Sequence, residues 1–113
     1  MENKETRVVK KMLQYANSIC DYCKDIKDAA SLSKNTLVAE AVCFDILQIG
    51  ELAKDGLSDE CKASMNIPWP EINGLRNRIV HGYDEINFEI VYETISEDIP
   101  FLIQELNRFL QNS

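Results

Sequence analysis

Arg76, Asn77, Arg78, His81 and Tyr83 fall within eight consecutive residues and bring together the chain's only histidine, two fixed positive charges, an amide and a phenol. An imidazole exchanges a proton near neutral pH, a guanidinium fork grips phosphate oxygens, and an amide can orient either. Together they suit a phosphodiester, with Arg78 a candidate for holding its phosphate. On a helix advancing about 100° per residue, Asn77 and His81 share a face and Arg78 is close to them. Arg76 lies about 140° from His81 and must reach around with its long side chain. His81 also falls in a last turn, at the carbonyl end of its helix. The same residues have a plainer use: His81 caps its helix while the arginines pair with Glu40 or Glu51. Both readings stand on spacing alone.

The charge of the chain bounds the choice. A net charge of −7 argues against broad attraction to nucleic acid, which normally rests on a basic surface. Locally the balance reverses, with Lys62, Arg76 and Arg78 set against Glu71 between residues 61 and 81. A focused basic site on an acidic body suits a selective ligand. The four cysteines are expected as reduced thiols. Cys20 and Cys23 form a C-x-x-C, but it has no second pair at zinc spacing and lies inside a helical pattern, so packing is the expectation and no metal site is assigned.

The scaffold reads as one all-α domain over residues 1–113, an up-down bundle of four helices. From Glu5 the apolar positions Val9, Met12, Ala16, Ile19, Cys23 and Ile26 recur at helical spacing. Ser31, Ser33 and Asn35 read as turn and cap. A second helix from about Thr36 to Lys54 is apolar around most of its circumference, Leu37 included, and belongs mid-bundle. Its narrow polar stripe of Glu40, Gln48, Glu51 and Asp55, with Phe44 projecting into it, reads mainly as a solvated face. The other reading of that stripe is a subunit contact or an acidic wall beside the arginines. Gly56 ends that helix, and a long connection with a short turn at Asp59 to Ser64 leads to Pro70, with Trp69 packing the loop onto the bundle. A short helix from Pro70 carries the motif to Gly82, expected in the left-handed C-terminal position. The last helix, about Asn87 to Gln111, should kink near Ile99 ahead of Pro100. No apolar run is long enough to span a bilayer, and the amino-terminal residues lack the order of a secretory signal, so a cytoplasmic location is expected.

Arg76, four residues, His81, one residue and Tyr83 resemble the Arg-x4-His-x-Tyr signature of the HepT-like toxins in the HEPN superfamily, with Asn77 a usual companion of the arginine. The likeness extends to Gln48–Lys54, to Ile67-Pro68-Trp69 and to Asp98–Leu102. It implies a HEPN bundle, a homodimer and cleavage of RNA without a metal or other cofactor, with Arg76, Asn77 and His81 catalytic. It also implies that Tyr83 is the hydroxyl adenylylated by an MntA-like nucleotidyltransferase antitoxin, as in a type VII toxin–antitoxin system. A second reading keeps the fold but makes the chain a non-catalytic HEPN dimer that binds or regulates such a nucleotidyltransferase. A third, a purely structural helical adaptor, leaves the clustered polar segment without a use.

Overall fold

The computed structural model describes residues 2–112, and among them there are helices and no strand. Helix α1 spans Lys4–Tyr22, α2 Ala29–Lys34, α3 Thr36–Gly56, α4 Asp59–Ala63 and α5 Trp69–Gly82. A 3-10 turn at Tyr83–Glu85 follows, then α6 at Phe88–Glu93, a π-helical segment at Thr94–Asp98 and α7 at Ile99–Gln111. The long rods are α1, α3, α5 and the composite of α6, the π segment and α7, which gives the expected bundle of four.

Their directions alternate, and side-chain ties show it. Glu5 near the start of α1 accepts from the Ser58 amide just beyond α3, so α1 and α3 run antiparallel. Arg76 meets Glu51 while the electrostatic environment of Tyr83 includes Glu40, so α5 runs antiparallel to α3. Tyr92 in α6 donates its hydroxyl to the Lys27 carbonyl beyond α1, which starts the last rod at the far end of the first.

Periodicity decided the core. Val9, Met12, Ala16 and Ile19 of α1 are fully buried against Val42, Ile46 and Ile49 of α3 and Val91, Ile99, Leu102 and Leu106 of the last rod. Two side chains of α3 leave this pattern: Phe44 is exposed as its stripe foretold, whereas Leu37, expected inside, is 81% exposed because it stands in the first turn before α5 covers the helix.

Local chemistry corrects several expectations. Helix α1 stops at Tyr22, so Cys23 and Ile26 reach the core from the connection rather than from the helix. The serines taken as turn residues lie inside the unforeseen α2, whose start is capped by Asp28 accepting from the Ser31 amide. Asn35 caps α3 as expected, accepting from the Val38 amide. The expected left-handed Gly82 is absent: its φ is −162°, and the chain passes directly into the 3-10 turn. Where a kink was predicted ahead of Pro100, the helix opens into the π segment, in which the Ile99 amide reaches back to the Thr94 carbonyl. No described helix is long and apolar enough to cross a membrane.

Candidate functional site

Helix α5 begins at Trp69-Pro70, with proline where its missing donor costs nothing, and buries Ile72, Leu75 and Ile79 against the bundle. That register turns Asn77, Arg78 and His81 outward, all three exposed. They line one open cavity of about 590 Å³ together with Glu85, Ile86 and Ile90. His81 also borders a smaller recess of about 330 Å³ shared with Tyr83, Asp84 and Glu85. The structure thus brings together His81, Asn77, Arg78 and Tyr83 around one helix end.

Arg76 is placed differently. Its side chain is only 12% exposed, lying across α3, and its guanidinium forms an ion pair with Glu51 and donates to Asn77 Oδ1 at 2.7 Å. Its Nε also donates to Asn73 Oδ1 at 3.3 Å. The acidic-wall reading of the α3 stripe therefore holds for Glu51, and the solvated-face reading is corrected at that residue. Within one chain Arg76 and His81 do not share a cavity; the Arg76–Asn77 hydrogen bond is what links them. Arg78 has no ion-pair partner among the described residues, so its charge is free for an external anion.

Gly50 makes the Arg76 placement sterically possible. A Cβ there would sit 2.8 Å from Arg76 Cδ and 3.1 Å from its Cβ and Cγ, closer than side chains tolerate. Glycine in the middle of a helix without a turn signal was the available clue to this close approach.

Tyr83 is half-buried at the end of α5, and its hydroxyl pKa is pushed up by burial first and then by Cys43 and Glu40. The phenol is accordingly neutral at physiological pH. Burial likewise raises the thiols, to about 11 for Cys23 and about 11 for Cys43, the reverse of what a redox or metal-binding cysteine needs. Among the described residues no three His, Cys, Asp or Glu side chains gather as potential metal ligands. Trp69 packs the loop as expected, its indole N–H donating to the Lys62 carbonyl at 3.0 Å.

Comparison with known proteins gives one consistent picture. The family model described as ribonuclease HepT-like matches residues 12–109. A Methanocaldococcus jannaschii protein bearing an RNase name is 30% identical over 95 residues, covering 84% of this chain and 86% of its own. A Caldanaerobacter subterraneus protein, also with an RNase name, is 31% identical over 78 residues, covering 69% and 70%. A Thermococcus cleftensis protein named as a ribonuclease HepT is 27% identical over 97 residues, covering 73% of this chain and 86% of its own. No solved structure matches the chain.

Proposed function

Because the chain belongs to the HepT-like ribonuclease family, we propose that it is a metal-independent endoribonuclease, one HEPN domain acting as a homodimer in the cytoplasm. The observation that carries this reading is the exposed His81 sharing a cavity with Arg78 and Asn77, the latter bonded to Arg76. In the reaction, a ribose 2′-oxygen attacks the adjacent phosphorus and the bond to the 5′-oxygen breaks. One group takes the 2′-hydroxyl proton and another protonates the departing 5′-oxygen. Arginines offset the charge that builds on the phosphate oxygens.

Each chain offers a single imidazole and keeps Arg76 in a different cavity from His81. Two chains meeting near the carboxyl end of α5 would supply two imidazoles and bring together four arginines. Two exposed apolar side chains support such a meeting: Val80, 49% exposed, lies between Arg76 and Tyr83, and Phe44, 55% exposed, lies between Glu40 and Glu51 on the neighbouring helix. Doubling the local cations would also let an acidic protein accept RNA.

In this reading the chain is the toxin of a type VII toxin–antitoxin system. An MntA-like nucleotidyltransferase silences it by joining Tyr83 Oη to the α-phosphorus of ATP, with pyrophosphate leaving. Since the phenol is neutral, a base must take its proton as the new bond forms. The attached nucleotide adds bulk and negative charge beside Arg78 and His81. Tyr83→Phe should keep its fold and gain no adenylyl mass on incubation with the partner and ATP.

The engagement of Arg76 by Glu51 favours a second reading, a non-catalytic dimer that binds and regulates the nucleotidyltransferase. RNA cleavage in chelator by the purified chain, with His81→Ala as control, separates the two. Cleavage lost in His81→Ala establishes catalysis, and intact RNA with the wild type removes the ribonuclease reading.

A further inference from the structure

Behind the motif, on the face of α5 turned away from His81, lies a second cavity of about 370 Å³ between α3, α4 and the start of α5. Its charged lining residues are Lys54, Lys62 and Arg76, and no carboxylate lines it. The cavities around His81 and Arg78 each include at least one carboxylate, Glu85 in two of them and Glu71 in another. Arg76 is matched by Glu51, which leaves Lys54 and Lys62 as two uncompensated cations beside one hollow in a chain of net charge −7. Neither lysine has an ion-pair partner among the described residues, so both ammonium charges are open to an external anion.

The other walls suit a flat ring. Trp69 lines the cavity, and its indole N–H is fixed to the Lys62 carbonyl, so the ring is held in place before any ligand arrives. Asn73 offers an amide and Gly50 a wall without a side chain. The volume lies in the range of about 300–1,000 Å³ typical of small-molecule pockets. Aromatic platforms flanked by cations are how proteins hold single-stranded nucleic acid with little regard to sequence.

We infer that this cavity is a subsite for one nucleotide of the RNA strand a few positions away from the scissile phosphate, its base against Trp69 and its phosphate between Lys54 and Lys62. The inference rests on the ribonuclease reading above. Arg76 borders this hollow and is bonded to Asn77, which borders the cavity of His81, so a strand can pass from one to the other along the Arg76–Asn77 edge. The Glu51 ion pair then gains a second use, holding Arg76 at the junction of the two cavities.

The sole tryptophan makes the test site-specific, because intrinsic fluorescence reports Trp69 alone. His81→Ala protein would be titrated with a short single-stranded RNA of mixed sequence, with an abasic strand of the same length and with AMP. The RNA should quench the emission saturably and the abasic strand should not, while AMP should bind far more weakly than the strand. By anisotropy, Lys54→Ala and Lys62→Ala should each reduce the salt dependence of RNA affinity, the two together by about 0.7 in the logarithmic slope, the value for one phosphate contact on a single strand. Trp69→Leu should weaken binding roughly tenfold and Trp69→Phe much less. Lys54 is exposed, so its variant keeps the measurement independent of folding.

RNA binding without a Trp69 signal, or with slopes unchanged in both lysine variants, overturns the subsite while chelator-resistant cleavage leaves the ribonuclease reading standing. Equal quenching by the abasic strand overturns the stacking, and AMP binding as tightly as the strand makes the hollow a free-nucleotide pocket instead. Wild-type protein that neither binds nor cuts RNA removes the reading and the subsite together.

Discussion

Arg76 owes its position to a residue with no chemistry of its own. Because a Cβ on Gly50 would press on three carbons of the arginine, Gly50→Ala should push the guanidinium off Glu51 and Asn77 while α3 itself gains helix propensity. RNA cleavage is expected to fall at least tenfold with the circular dichroism spectrum unchanged; an active Gly50→Ala enzyme would mean that Arg76 placement is immaterial. Asp45 poses the opposite case, a carboxylate only 5% exposed whose Oδ2 has no hydrogen-bond partner among the described residues. Burial raises its pKa, so the native state holds that proton more tightly than the unfolded chain and stability falls as pH rises through the raised value. Asp45→Asn should therefore melt higher at neutral pH, by roughly 1 kcal/mol, with the gain vanishing below the ordinary aspartate range. The residues that could do chemistry were legible because histidine, arginine and tyrosine are scarce and fell together in sequence. The ion pair to Glu51 was visible only as one of two options, since it depends on how α5 crosses α3, and the burden on Gly50 depends on the same crossing.

At the scale of elements, apolar spacing gave the long rods, since burial of one face is what fixes them. Short elements escaped it. Helix α2 has a single fully buried side chain, Leu32, and rests on the Asp28 cap and contacts with α6, neither of which leaves a period in the sequence. Gly82 read as a left-handed stop, but the following 3-10 turn continues the right-handed sense and nothing crowds its α-carbon. Pro100 was read correctly as a disturbance, though its form could not be seen. Opening the turn to π register ahead of it places the proline in the first turn of α7, where its missing N–H is not required. Pro100→Ala should consequently change unfolding free energy by less than about 1 kcal/mol, whereas relieving a proline from a regular helix interior would stabilise by about 3 kcal/mol. Chemical denaturation distinguishes the two.

For the whole molecule, the fold leaves one task unfinished. Arg76 and His81 stand in separate hollows of the chain, while Phe44 and Val80 expose apolar surface along the stretch where α3 and α5 run side by side. Exposed apolar groups beside a charged motif cost little in a monomer and suit a twofold contact, in which the same patch meets itself. Phe44→Glu would set two carboxylates against each other across such an axis without disturbing the core, since its side chain points outward. The variant should sediment as a monomer, keep its helical signal and lose RNA cleavage. Mixing supplies the complementary measurement: His81→Ala and Arg76→Ala chains, refolded together, contain heterodimers in which one half-site keeps its imidazole and the other its guanidinium. If the working site draws on both protomers, the mixture departs from the mean of its parents in the amount expected from the heterodimer fraction. A monomeric Phe44→Glu protein with full activity, or mixed dimers whose activity equals the parental mean, would place the whole reaction within one chain.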